Sequence, residues 1–63
     1  MKMWIGRNRD NTLVLSGLPL YLDEVYGEWY STSLAFTRLY PQYFPEVTFE
    51  NSPMEVELKL IEK

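Results

Sequence analysis

Clusters of turn-forming residues interrupt this chain so often that every apolar segment between them is short. Residues 8–11 (NRDN) form one cluster and residues 16–19 (SGLP) a second, while Pro41 and Pro45 bracket only residues 42–44. Asn, Asp and Gly accept backbone conformations that other residues avoid, and proline fixes its own φ and lacks an N–H donor. Long helices are therefore disfavoured over most of the chain, and short strands joined by turns are favoured.

The segments between these turns have the composition and alternation of β-strands. Residues 12–15 (TLVL) are rich in β-formers, and residues 2–7 place Met3 and Ile5 on one side and Trp4 on the other. Two such segments joined by four polar residues are typical of a β-hairpin. Loose alternation continues through a third and fourth segment. The predicted strands are 2–7, 12–16, 19–23, 29–37 and 54–61.

The C-terminal segment satisfies two conflicting patterns. Ser52, Pro53 and Glu55 match a helix-capping box with proline at the first helical position. In contrast, residues 54–60 alternate strictly between apolar and polar types, which is the period of a strand. We predict a strand here, and a helix over 53–63 is the alternative.

These elements predict one small mainly-β domain over residues 1–63, with four to five antiparallel strands. Strands adjacent in sequence usually pair, so a meander is the simplest topology. If the last strand returns beside the first, the result would be a small barrel-like sheet. Pro41 and Pro45 leave room for at most one short helical turn near 40–44.

The absence of cysteine and histidine narrows the chemistry. Without cysteine there are no disulfides, zinc–thiolate sites or thiol nucleophiles, and without histidine the commonest general base is missing. Hydroxyl nucleophiles such as Ser31 would have no positioned base. We therefore predict a protein that is not an enzyme and has no cofactor. Lack of cysteine also agrees with a reducing compartment, so a cytoplasmic location is expected.

The charge distribution disfavours nucleic acid. Nine acidic and six basic residues give a net charge of −3, and Arg38 is the only basic residue between positions 10 and 58. Aromatic surfaces that stack single-stranded bases have basic residues among the aromatics. Single-stranded nucleic-acid binding is therefore the third alternative. Every apolar stretch is also too short to span a membrane.

Three carboxylates, Asp23, Glu24 and Glu28, cluster around Gly27 in a predicted loop. Such a cluster could hold a hard cation through oxygen ligands or perform acid–base chemistry. Acidic loop residues are ordinarily solvated, and the spacing matches no EF-hand. A carboxylate-based metal site or enzyme at 23–28 is thus the second hypothesis.

The aromatic content favours an interaction module as the first hypothesis. Two Trp, five Tyr and three Phe are more than one small core can enclose. Trp4 and Trp29 point outward if the aliphatic faces of their strands point inward, and Trp and Tyr are frequent in binding hot spots. We predict that Trp4, Tyr21 and Trp29 contact a protein partner. The same patch could be buried in a homodimer.

Two stretches carry a family resemblance. MWIGRNRD at 3–10 and FPEVTFENSP followed by MEVELKLI at 44–61 resemble a family of short, uncharacterised proteins of gut-associated bacteria and their mobile elements. The resemblance implies a small β-rich domain without an assigned activity. It transfers no functional residue to this chain.

Overall fold

Six short strands form two antiparallel sheets in this computed structural model, which describes residues 1–61. Residues 62 and 63, which the helix alternative for 53–63 included, lie outside the described residues. The strands are β1 (Lys2–Arg7), β2 (Leu13–Ser16), β3 (Tyr21–Asp23), β4 (Glu28–Tyr30), β5 (Phe36–Leu39) and β6 (Met54–Glu57).

The larger sheet has four strands in the order β5-β2-β1-β6, and β3 and β4 form a separate hairpin. The mainly-β prediction is confirmed, with six strands in the described residues rather than four to five, and the last strand returns to the side of the first, which was the alternative to the meander. The sheet does not close into a barrel, because β5 and β6 remain its edges. The meander is wrong, since β2 pairs with β5 rather than with β3.

The predicted strand 29–37 is divided between the two sheets. β4 ends at Tyr30 and β5 begins at Phe36. Between them, the Ser31 hydroxyl accepts the N–H of Ser33 and the Ser33 hydroxyl accepts the N–H of Ala35, both at 3.0 Å. Serine side chains that bond the backbone two residues on compete with strand pairing. These successive turns redirect the chain from one sheet to the other.

Other predicted strands are shorter than expected. β3 begins at Tyr21 rather than at 19. β6 ends at Glu57 rather than at 61. Residues 40–44 form a turn without a helix, in which the Tyr43 N–H donates to the Tyr40 carbonyl at 3.0 Å.

One face of the four-stranded sheet, here called the first face, holds the apolar core. The strand registers place alternate residues of all four strands on this face. Val47 from the loop 40–53 covers it and is buried with Ile5 and Leu13. Partly buried residues around this centre are Leu15, Leu39, Met54 and Val56.

Arg7 fastens the same loop to the sheet. It ends β1 and is only 7% exposed. Its guanidinium donates all its hydrogen bonds of 3.2 Å or less to backbone carbonyl oxygens, five in number. These belong to Val47 (2.6 Å), Pro41 (2.9 Å), Asn11 (3.0 Å), Tyr43 (3.0 Å) and Phe44 (3.2 Å).

The opposite face is partly covered by the β3–β4 hairpin. Gly6 of β1 lies directly beneath it, and a Cβ at position 6 would be 3.1 Å from Trp29 Cγ and 3.2 Å from Leu20 Cδ1. Glycine is therefore required for the indole to approach the backbone of the central strand. Leu20 is buried in this second layer, and Trp29 is half-buried.

A polar network forms the β1–β2 turn. The Asn8 N–H donates to the Thr12 carbonyl at 2.8 Å, and the Asn8 amide donates to Thr12 Oγ1 at 2.8 Å. Thr12 Oγ1 in turn donates to Asp10 Oδ1 at 2.6 Å. Asn11 completes the turn with a φ of 80°, a conformation that Asn tolerates. The predicted role of residues 8–11 as a hairpin turn is confirmed.

This network makes the stability of the turn depend on pH. Hydrogen bonds from the Thr12 hydroxyl and N–H lower the pKa of Asp10 below its ordinary value. The stabilisation is therefore present above the unfolded-state pKa and is lost as pH falls through the lower folded-state pKa. We expect Asp10→Asn to reduce the loss of urea stability between about pH 5 and pH 2.

Urea midpoints measured across that range provide the check. Glu24→Gln, at an exposed carboxylate on another loop, is the matched control and should follow the wild type. An Asp10→Asn protein with an unchanged pH slope would contradict the prediction.

Candidate functional site: the outer face of the β3–β4 hairpin

Strand alternation gives the β3–β4 hairpin two different faces. Its cross-strand pairs are Tyr21–Tyr30, Leu22–Trp29 and Asp23–Glu28. Leu22 and Trp29 are half-buried toward the four-stranded sheet. The two flanking pairs project the other way, because successive side chains of a strand alternate. We call Tyr21, Asp23, Glu28 and Tyr30 the outer hairpin face.

The two tyrosines of this face form an exposed aromatic pair. Tyr21 is 54% and Tyr30 50% exposed. Their ring centroids are 5.9 Å apart and the rings are tilted by 40°, which is a favourable separation for aromatic contact. The pair therefore presents preformed apolar area and two phenol groups to the surroundings.

The hairpin turn is closed by its own polar groups. Asp23 Oδ1 accepts the N–H of Val25 at 3.0 Å and that of Tyr26 at 3.4 Å. Gly27 has a φ of 66° and donates its N–H to the Asp23 carbonyl at 2.8 Å. A left-handed conformation at this point is the reason for glycine.

The β1–β2 turn holds the hairpin in place. Arg9 donates its N–H to the Gly27 carbonyl at 2.8 Å, and Asn8 Oδ1 accepts the N–H of Trp29 at 2.6 Å. The Arg9 guanidinium also lies 5.1 Å from the centre of the Phe49 ring, which in turn contacts Trp29. These contacts fix the orientation of the outer hairpin face relative to the rest of the domain.

The two tryptophans are placed differently from the outward orientation expected. Trp4 lies opposite Met3 and Ile5, as predicted, but on the face that the hairpin partly covers, and it is half-buried. Trp29 faces the sheet, and its Nε1 is buried without a hydrogen-bond partner. Of the three candidates, Tyr21 alone is strongly exposed.

The carboxylates of 23–28 do not converge. Asp23 caps the hairpin turn, whereas Glu24 and Glu28 are exposed. Within residues 1–61, no group of three acidic side chains is positioned to hold a metal ion. The geometry shows a solvated, acidic loop.

Tyr30 is not among the residues predicted from the sequence, because alternation along one continuous strand 29–37 places it on the side opposite Trp29, together with Leu34 and Phe36. The predicted loop around Gly27 is a tight turn over residues 24–27 that joins β3 and β4 as a hairpin. Such a turn pairs Leu22 with Trp29 as the apolar side and leaves the tyrosines outside. The signal was Asp23 followed by Gly27, which together form the turn.

Comparison of the chain with known protein families, curated proteins and solved structures finds no match. The resemblance to short proteins of gut-associated bacteria and mobile elements thus stays a prediction. In residues 1–61 no helix has the length and apolar character needed to cross a membrane.

Proposed function

We propose that this protein is a non-enzymatic interaction module that binds a protein partner through the outer hairpin face. The observation that carries the proposal is the Tyr21–Tyr30 pair, half exposed on a hairpin whose other side is packed. Tyrosine supplies a large contact area with few rotatable bonds, and it is enriched in binding hot spots.

The charges beside the tyrosines define the partner's chemistry. Glu24 and Glu28 are exposed at the turn end of the hairpin, and Asp23 lies opposite Glu28 on the same face as Tyr21. A complementary partner would present an apolar surface bordered by Lys or Arg. The same acids disfavour nucleic acid, because they repel its phosphates.

The remaining elements of the proposal rest on composition. A chain without cysteine suits the cytoplasm, and the resemblance would place it with mobile elements of gut bacteria.

The alternative of a metal site or enzyme at 23–28 would need Glu24 and Glu28 to join Asp23, whose Oδ1 already accepts two backbone N–H groups.

A second tyrosine pair provides a matched control for the test. Tyr40 and Tyr43 are also exposed, with ring centroids 5.7 Å apart, but they lie outside the hairpin. We expect the double variant Tyr21→Ala/Tyr30→Ala to lose a partner that the wild type and Tyr40→Ala/Tyr43→Ala both retain. The loss should be at least about tenfold in Kd, as for hot-spot truncation.

Quantitative mass spectrometry of proteins captured by the three forms would identify the partner, and calorimetry with the purified partner would measure Kd. Circular dichroism should show all three forms folded. If the partner binds the Tyr21→Ala/Tyr30→Ala form as tightly as the wild type, or is lost only from the control, the outer hairpin face is not the site.

A further inference from the structure

β6 leaves one edge of the four-stranded sheet unpaired within the described residues. Its pairing with β1 continues beyond Glu57, because the Leu58 N–H donates to the Met1 carbonyl at 2.7 Å. The Met1 amino group donates to the Leu58 carbonyl at 2.9 Å. Residues 54–58 therefore form a continuous strand alongside β1.

The hydrogen-bond pattern establishes which backbone groups face outward. Met1 and Leu58 exchange hydrogen bonds, and hydrogen-bonded pairs recur at every second residue of an antiparallel ladder. Met54 and Val56 therefore direct their N–H and C=O groups toward β1 as well. The backbone N–H and C=O groups of Glu55, Glu57 and Lys59 therefore point away from β1. A row of unpaired backbone donors and acceptors of this kind is a template for pairing with another strand.

The side chains along this edge alternate sharply. Val56 and Leu58 belong to the first face, where they line an apolar groove of about 290 Å³ together with Met3, Leu15, Leu39 and Phe44. Leu58 is 56% and Leu60 88% exposed. The other side carries Glu57 and Lys59. The apolar side chains of the first face thus continue along β6 to Leu58 and Leu60, which are exposed to solvent.

We propose that the outer edge of β6, extended to Leu60, pairs antiparallel with the same segment of a second copy, with the two-fold axis at Leu58. Glu57 then lies opposite Lys59 of the second copy, and Val56 lies opposite Leu60. Each of these two cross-strand pairs occurs twice in the dimer because of the two-fold symmetry. The outward backbone groups of Glu57 and Lys59 supply the hydrogen bonds across the axis.

Charge selects this register. An axis at Glu57 would place that carboxylate opposite its own copy, and an axis at Lys59 would do the same with two ammonium groups. Like charges directly opposite destabilise a strand pair, whereas opposite charges stabilise it. With the axis at Leu58, neither Glu57 nor Lys59 faces a like charge.

The resulting dimer has one continuous eight-stranded sheet. The axis is perpendicular to the sheet, so the apolar grooves of both copies open on the same side, and Leu58 and Leu60 of each copy lie between them. Trp4, Tyr21 and Trp29 take no part, since they belong to the other face or to the hairpin. The dimer and the partner-binding hairpin are therefore independent.

Single cysteines test the register, because the chain has none of its own. Cα atoms of residues facing each other at a non-hydrogen-bonded antiparallel position are about 4.5 Å apart, within disulfide range. Leu58→Cys should form an inter-chain disulfide under mild oxidation. Leu60→Cys is the control: it is more exposed, but its symmetry mate would be roughly 14 Å away, four residues along a strand.

We expect Leu58→Cys to cross-link at least about tenfold faster than Leu60→Cys. Equal rates, or faster reaction of Leu60→Cys, would overturn the proposed register. Both proteins should show the β-sheet circular dichroism of the wild type when reduced.

A change of charge tests the interface without cysteine. Sedimentation equilibrium of the wild type near 100 µM should show mass approaching twice 7.5 kDa. Lys59→Glu should weaken the dimer about tenfold or more, because it places two carboxylates opposite each other; Glu57 stays unchanged in this test, since its carboxylate also pairs with the Met1 amino group of its own chain at 3.2 Å. A wild type that stays monomeric, or a Lys59→Glu variant that dimerises as tightly as the wild type, would overturn the proposal.

Discussion

Replacing Arg7 with alanine is expected to leave the protein largely unfolded at physiological temperature. The side chain is buried, and its removal takes the Arg7 donor from five backbone carbonyls, of which, within residues 1–61, only that of Phe44 keeps another donor, the N–H of Val47. Hydrogen bonds to a charged group contribute about 1.5–3 kcal/mol each, although loop carbonyls can recover some of this from water. A chain of this size has only about 3–9 kcal/mol of total stability.

Arg7→Lys should be folded but weaker by about 2–4 kcal/mol, because an ammonium group keeps the charge and cannot reach five divergent acceptors. Urea denaturation followed by circular dichroism measures both variants. Arg38→Ala, at an exposed arginine of β5, is the control and should change stability by less than about 0.5 kcal/mol. An Arg7→Ala protein as stable as this control would show that the loop is held by other contacts.

Gly6→Val is expected to detach the β3–β4 hairpin from the sheet. The new Cβ would lie 3.1 Å from Trp29 Cγ, and two further methyl groups would add to the clash. Overpacking of this kind costs about 1–3 kcal/mol, and the hairpin is the element able to move. In a Trp4→Phe background, Trp29 fluorescence should shift to longer wavelength as the indole becomes exposed to water.

A double-mutant cycle distinguishes this steric clash from a general destabilisation of β1. If the indole is the obstacle, Gly6→Val combined with Trp29→Leu should cost at least about 1 kcal/mol less than the sum of the single changes. Strict additivity would mean that the damage lies in β1 itself. The Gly6→Val protein should also bind the proposed partner more weakly, because the outer hairpin face would lose its fixed orientation.

The parts of the fold that local pattern could predict are those determined by neighbouring residues. The cluster at residues 8–11 predicted the β1–β2 hairpin, and strict alternation in 54–60 correctly outweighed the helix-capping pattern of Ser52 and Glu55. The last strand can bury its apolar face only if it pairs with another strand of the sheet. Its place beside β1 had been anticipated as the barrel-like alternative.

The parts that pattern missed depend on side chains that bond to the backbone. Ser31 and Ser33 end one strand and start another, although their composition resembles that of a continuous strand. The burial of Arg7 has no local signature, because its acceptors come together only when residues 41–47 fold over the sheet. Trp29 lies inward and Tyr30 outward, which is the reverse of the prediction. The reason is that 29–37 is divided, so that residues 29 and 30 pair with β3 and do not continue into the strand that contains Phe36.

The arginine at the end of β1 has a consequence for how the loop above it tolerates variation. Every acceptor of its short hydrogen bonds is main chain, so the guanidinium recognises the path of residues 41–47 and not their side chains. Pro41 and Tyr43 are exposed. Their identities can therefore diverge while the scaffold beneath stays the same, as in antibody loops supported by a constant framework. The loop is a natural position for grafting a new recognition sequence.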